Sequence, residues 1–115
     1  MMKSIRGAIT VDNNSIDAIK NAVLELFSEI VTRNDLSERD TVFVEFSATK
    51  DLNAVYPAKF IRQELGWNDT AFMCVQEMDV INSLPMCIRV LVVCNKSEDF
   101  KPEFVYLRGA KNLRS

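Results

Sequence analysis

Hydrophobic positions recur along this chain with two periods, every second residue and every third or fourth, and the changes of period mark its elements. Residues 4–10, Ser-Ile-Arg-Gly-Ala-Ile-Thr, read as a strand in which Ile5, Gly7 and Ile9 share one face and Arg6, Ala8 and Thr10 the other. After a polar turn at 11–14, Ile16, Ile19, Val23, Leu26 or Phe27, and Ile30 recur at helical spacing. They predict one amphipathic helix over 15–33, capped by Asn14 or Ser15, with Asp17 in the first turn where the helix dipole favours it. Its apolar stripe is expected to pack on a sheet. The polar stretch 34–40 closes the helix, and residues 41–47, Thr-Val-Phe-Val-Glu-Phe-Ser, form a second strand rich in β-branched and aromatic residues. A loop leads to Pro57, then a short helical turn over 58–65 that Gly66 ends. Further strands are predicted at 70–76, at 86–94 and, after Pro102, at 103–107, with 108–115 as a tail.

The order strand, helix, strand, short helix and three strands describes an α/β fold. It is a single domain over residues 1–115, with one mixed five-stranded β-sheet, one long amphipathic helix and a short helical turn. A length of 115 residues leaves room for one core and none for a separate cofactor domain. One helix covers one face of a sheet. Yet along 86–94 Ile88, Val90 and Val92 point one way while Leu91 and Val93 point the other, so this strand requires cover on both faces. No helix remains for the second face. Another copy of the chain, in a closed cyclic oligomer, is the expected cover.

Composition narrows the chemistry. There is no histidine, which removes His-based triads, the HExxH and His₂Cys₂ metal motifs and any histidine base. With 3 glycines and neither GxGxxG nor GxxxxGK[ST], no phosphate-cradling loop is expected. Lys and Arg number 14 against 16 Asp and Glu, a net charge of −2, and no basic block suggests nucleic acid. Cys74, Cys87 and Cys94 are an odd set in apolar surroundings, matching neither a disulfide framework nor a zinc site. No signal-type segment and no apolar run of membrane-spanning length is visible, so a cytoplasmic protein without a membrane partner is expected. Glu77 and Asp79 lie two apart without further oxygen ligands at metal-loop spacing, so no metal is expected.

Arg89 fits a bland strand least. It interrupts Cys-Ile-Arg-Val-Leu-Val-Val, where a guanidinium needs either a carboxylate, such as Glu45 or Glu77, or a bound anion. Arg6, between Ile5 and Gly7, offers the same choice between a salt bridge and a ligand. Glu77, at a strand end, is a pocket carboxylate or a solvated charge. Lys59 and Arg62 share a face of the helical turn, as a basic lip or as ordinary surface. Cys74 has no histidine to activate it and reads as a small hydrophobe. Tyr106 is a ligand phenol or a core or interface tyrosine, and Trp67 a packing anchor. Such a site is rich in arginine and poor in acid–base and nucleophilic groups. It suits binding of a small polyanion, or a reaction driven by positioning and electrostatics alone.

Ordered short motifs carry a more specific signal. They are Ile5-Arg6-Gly7-Ala8, Ser47-Ala48-Thr49, Asp51-Leu52, Ala54-Val55-Tyr56-Pro57-Ala58-Lys59, Gly66-Trp67, Cys74-Val75-Gln76-Glu77-Met78-Asp79-Val80, Cys87-Ile88-Arg89-Val90 and Val105-Tyr106-Leu107. Together the chain resembles the monofunctional chorismate mutases of the small trimeric α/β type. The resemblance implies conversion of chorismate to prephenate, on the route to phenylalanine and tyrosine, by a Claisen rearrangement without cofactor, metal or covalent intermediate. It also implies homotrimers with active sites between subunits. By the same resemblance Arg89 donates to the ether oxygen, Arg6 holds a substrate carboxylate, Glu77 accepts from the ring hydroxyl and Tyr106 touches the side-chain carboxylate. Cys74 lines the site near that hydroxyl. Tyr56, Ala58, Lys59, Arg62, Phe72 and Met73 supply the wall and basic lip, with Tyr56 where phenylalanine is common and Phe72 where valine is.

Two departures bear on this. The connection from Arg89 to Tyr106 is one residue shorter than the family pattern. Leu113 and Arg114 match the start of a segment that folds over the pocket in relatives, but the sequence ends at Ser115, with Lys111-Asn112 in place of apolar residues. A flexible, truncated tail over 108–115 is therefore expected, with a raised KM and a kcat less affected. Two other readings stay open: a trimeric imine or enamine deaminase of the RidA type, and a non-catalytic trimer that binds small anions or protein partners.

Overall fold

A computed structural model describes residues 1–113. The alternating segments become β1 (Met2–Thr10), β2 (Thr41–Ala48), β3 (Ala71–Gln76), β4 (Cys87–Asn95) and β5 (Val105–Leu107), and the helical ones α1 (Ile16–Arg33) and α2 (Lys59–Leu65). They form one mixed sheet in the order β3-β2-β4-β1-β5. β4 runs antiparallel to both β1 and β2, while β5 is parallel to β1 and β3 parallel to β2. Among the described residues no helix is long and apolar enough to cross a membrane.

The helix covers one sheet face, as its stripe requires. Ser15 is the N-cap, its hydroxyl accepting from the Ala18 N–H at 3.1 Å. Ile19, Val23, Leu26, Phe27 and Ile30 of α1 are fully or almost fully buried against Ile5, Ile9, Val44, Phe46, Ile88 and Val92 of the sheet. Trp67 packs edge-on to Phe27, ring centres 5.0 Å apart, and is the packing anchor expected. Gly7 explains the close seat of the helix. A Cβ there would lie 2.9 Å from the Ile30 Cδ1 and 3.0 Å from the Val105 carbonyl oxygen.

Several boundaries differ from the predicted ones for local reasons. β1 extends back to Met2 because its ladder with β4 continues to Asn95. β3 begins at Ala71, not at 70, because the N–H and hydroxyl of Thr70 both donate to Glu38 Oε2. β4 begins at Cys87 because Met86 takes a left-handed φ of 51° and gives its N–H to the Asp51 carboxylate. β5 begins at Val105, not at 103, because both backbone groups of Glu103 are taken by the side chain of Asn34, the helix C-cap.

The tail expectation is corrected at its start. Arg108–Ala110 form a 3₁₀ turn docked on β1. The Gly109 N–H donates to Thr10 Oγ1 at 2.9 Å, and Arg108 donates to Glu25 at 2.8 Å and to the Thr10 carbonyl at 3.3 Å. Ala110 is fully buried with Ala8 and Cys87, so the chain itself covers one end of the second sheet face. The rest of that face is open. Leu91 and Val93 are half-buried, and Phe43, Met73 and Val75 are exposed.

Candidate active site

The β-register decides which side chains meet. Val92, Val90 and Ile88 pair with Ile5, Gly7 and Ile9 on the helix face. The alternate residues therefore lie on the open face, where one row across the sheet reads Tyr106, Ala8, Arg89, Ser47 and Val75. The adjacent row reads Arg6, Leu91, Glu45 and Met73. Ala8 has too short a side chain to separate Tyr106 from Arg89. A cleft of about 110 Å³ results, lined by Arg6, Gly7, Ala8, Arg89, Val90, Tyr106 and Leu113. Four residues singled out in the sequence meet here, and Leu113 is delivered by the docked 3₁₀ turn. Arg114 lies outside the described residues.

Glu77 follows β3 directly and is tied to β2 at backbone and side chain. Its N–H donates to the Ala48 carbonyl at 2.9 Å, and its Oε1 accepts from the Ser47 hydroxyl at 2.5 Å. Arg89 Nε stands 3.6 Å from the same Oε1, beyond hydrogen-bond reach. That Nε is buried and has no hydrogen-bond partner among the described residues. Leaving such a donor unmade costs on the order of 1–3 kcal/mol. The choice left open for Arg89 thus resolves into a loose ion pair with Glu77 and none with Glu45. Arg6 is exposed, its guanidinium carbon 5.3 Å from the centre of the Phe104 ring. Among the described residues no carboxylate pairs with Arg6, Lys59 or Arg62. The buried Cys87 thiol is pushed up by burial even though neighbouring Arg89 pulls it down.

The other predicted residues gather elsewhere. Phe72 and Cys74 pair with Val44 and Phe46, which puts them on the helix face of the edge strand β3, while Met73 faces the open side. The Arg62 guanidinium carbon lies 6.0 Å from the centre of the Phe72 ring. Tyr56, Lys59 and Cys74 line a second, wider depression of about 600 Å³, beside buried Ala58. The Cys74 thiol is raised by burial, against the Ala58 backbone and Arg62, and is no ready nucleophile. Within one chain, therefore, the described candidates split into an open-face group (Arg6, Arg89, Glu77, Tyr106, Leu113, with Met73 on the same face of β3) and an edge group (Tyr56, Ala58, Lys59, Arg62, Phe72, Cys74). Sequence reasoning missed Ser47 as a site residue. Its signal was the alternation of β2, which sets residues 43, 45 and 47 opposite buried Val44 and Phe46.

Fixed arginine donors around a cleft without a nucleophile or a proton shuttle define a binder of small anions, or an enzyme that works on one by electrostatics. Comparison with known proteins carries this to a family. The family model described as chorismate mutase type I matches residues 2–115. Chorismate mutase AroH of Bacillus subtilis (strain 168) is 40% identical over 92 residues, covering 80% of this chain and 72% of the relative. Chorismate mutase AroH of Thermus thermophilus is 36% identical over 116 aligned positions, covering 99% and 94%. A solved chorismate mutase from Clostridium thermocellum superposes with a TM-score of 0.90 at 44% identity, covering 95% and 97%. The chain belongs to the type I chorismate mutase family, and its activity is that of a chorismate mutase, an isomerase. The deaminase and non-catalytic readings are not favoured by any of these relatives.

Proposed function

We propose that the cleft between Arg6 and Arg89 is where chorismate is rearranged to prephenate, and that a neighbouring copy of the chain in a homotrimer completes its wall. The reaction is intramolecular. The ether C–O bond of the enolpyruvyl group breaks while a C–C bond forms from its methylene carbon to the ring, with no proton transferred and no co-reactant. Negative charge grows on the ether oxygen as the bond lengthens. Arg89 donates to that oxygen, and the interaction strengthens only as the transition state is approached, so it acts on kcat. Arg6 and Tyr106 hold carboxylates and select the reactive conformer. Glu77 accepts from the ring hydroxyl, and Leu113 covers the cleft.

The observation that carries this assignment is the unpartnered Nε of Arg89, a buried donor beside a cleft that also holds Arg6 and Tyr106. The split of the candidates supports the trimer. Tyr56, Lys59, Arg62, Phe72 and Cys74 cannot join Arg89 on one chain's open face, but β3 and α2 of a second copy laid on that face would bring them there. The exposed Phe43, Met73 and Val75 are the apolar surface such a contact would bury.

Arg89→Gln tests the role. Loss of one preorganised donor at a developing oxyanion lowers kcat by about 10²–10³-fold, roughly 3–4 kcal/mol, with a smaller change in KM. The assay follows chorismate disappearance by ultraviolet absorbance, with prephenate identified as the product. A folded Gln variant that keeps near-full kcat would remove Arg89 from the mechanism.

A further inference from the structure

We propose that Ser47 is a positioning residue for this reaction: by holding Glu77 it keeps the Arg89 side chain from being captured by that carboxylate. The proposal rests on the reading of the cleft given above. Ser47 and Arg89 are direct register partners on β2 and β4, both on the open face. Glu77 reaches the same place from the end of β3, its backbone fixed by the Ala48 carbonyl. Two side chains from two strands, Ser47 and Arg89, thus converge on one oxygen of the Glu77 carboxylate. Ser47 reaches it at 2.5 Å, in the range of a charge-assisted O–H···O⁻ bond, and Arg89 Nε stops at 3.6 Å.

That gap calls for a cause. A buried N–H beside a carboxylate gains by closing, and a movement of roughly 0.7 Å would bring the 3.6 Å separation to an ordinary N–H···O length. The other charges nearby do not hold the pair apart. Lys50 is engaged with Asp79 at 2.9 Å, Asp51 accepts from the Met86 N–H, and the Cys87 thiol neighbours Arg89 without a formal charge. Arg89 is the only cation paired with Glu77 among the described residues. What engages Oε1 is the Ser47 hydroxyl, which draws the carboxylate toward β2. Arg89 Nε keeps its unused donor for the oxygen of the breaking C–O bond, and Glu77 keeps Oε2 for the substrate hydroxyl. Without the hydroxyl, Glu77 and Arg89 close on each other, and the donor must be pulled out of an ion pair before it can serve the transition state.

The experiment compares wild type with Ser47→Ala, Ser47→Thr, Glu77→Gln and the Ser47→Ala/Glu77→Gln double variant. Each is checked for the wild-type melting transition and elution position. Ser47→Ala should lower kcat by about tenfold or more with little change in KM, and Ser47→Thr, which keeps the hydroxyl, should restore most of it. In the Glu77→Gln background, where no carboxylate remains to capture Arg89, Ser47→Ala should change kcat by less than about twofold. A second readout does not depend on turnover. The ¹H–¹⁵N Nε resonance of Arg89, assigned by its loss in Arg89→Gln, should shift and exchange more slowly with solvent in Ser47→Ala. If Ser47→Ala does not fold, Ser47→Cys, with a weak donor of similar size, carries the same expectations. Unchanged kcat together with an unchanged Nε resonance overturns the proposal, as does an equal loss in the Glu77→Gln background. If the Nε resonance shifts but wild type does not turn over chorismate, the positioning role stands and the functional reading of the cleft falls.

Discussion

Gly7→Ala tests whether the fit of α1 on β1 also sets the shape of the cleft. The added methyl would meet Ile30 Cδ1 at 2.9 Å, the Val105 carbonyl oxygen at 3.0 Å and Leu26 Cδ1 at 3.2 Å. Ile30 and Leu26 are fully buried, and the Val105 oxygen is backbone in the parallel pairing of β1 with β5. Overpacking of this kind costs about 1–3 kcal/mol. Restricting the unfolded chain returns about 0.4–1 kcal/mol. The net loss is about 1–2 kcal/mol, which for a domain of this size lowers Tm by roughly 4–12 °C. Thermal unfolding followed by circular dichroism, at one fixed chain concentration, measures it. The strain is relieved most readily by moving the short β5, which carries Tyr106 beside Ala8, so KM for chorismate should rise as well. A Gly7→Ala protein with an unchanged or higher Tm would refute the reasoning, because it would show that helix and strand have slack at this point.

Three further outcomes follow from the same geometry. Cys74, Cys87 and Cys94 are all held above the ordinary 9.0, chiefly by burial, so above about pH 9.0 the unfolded chain loses thiol protons that the folded chain keeps. Stability contributed by these thiols is complete below that pH and falls as pH rises; urea midpoints at pH 7.5 and 10, compared with those of a triple Cys→Ala variant, test the sign. Gly109→Ala would put a Cβ 2.9 Å from Thr10 Oγ1 and loosen the turn that brings Leu113 to the cleft, so KM should rise severalfold with kcat nearly kept; equal KM values would sever that link. Met73→Asp places a charge on the exposed apolar side of β3, and sedimentation should show the proposed trimer shifting toward monomer with loss of activity; an intact, active oligomer would move the interface elsewhere.

How far the sequence could be read depended on the range of the interactions. Local signals located every strand and both α-helices: α1 by period, because Ile19, Val23, Leu26, Phe27 and Ile30 satisfy one rule for burial wherever the sheet lies, β2 by its β-branched and aromatic residues, and α2 by Pro57 and Gly66. The β1 start was misplaced because its ladder with β4 runs on to Asn95, and the starts of β3, β4 and β5 were misplaced because of polar contacts across the fold: Thr70 to Glu38, Met86 to Asp51, Glu103 to Asn34. No local pattern shows those. Arg89 was legible because a guanidinium in an apolar strand is a local contradiction. Ser47 was not, because a serine at a strand end contradicts nothing until Glu77 arrives from 30 residues away. The docked turn was missed for the reverse reason. Arg108, Gly109 and Lys111 look like a solvated tail, and the Thr10 hydroxyl and carbonyl and the Glu25 carboxylate, supplied by β1 and α1, dock them.

The division of labour between the two faces suits the proposed chemistry. A rearrangement without proton transfer needs no mobile acid or base; it needs donors that already point where charge will grow, so that none must reorient as the bond breaks. Strands in the middle of a sheet hold side chains more firmly than loops do. β4 is the central strand, bonded to β1 on one side and β2 on the other, and it carries Arg89. β1 carries Arg6 and is likewise flanked on both sides, by β4 and β5. The residues proposed to line the substrate walls, on β3 and α2 and in the docked turn, lie away from the central strands. Arg89, the donor proposed to set the barrier, is thus fixed by two ladders, whereas the groups proposed to capture and cover the substrate, Arg6 apart, are held by one ladder or by a turn. Substitutions at the centre should therefore act on kcat and substitutions at the edges on KM, and the Arg89→Gln and Gly109→Ala proteins sample the two ends of that gradient.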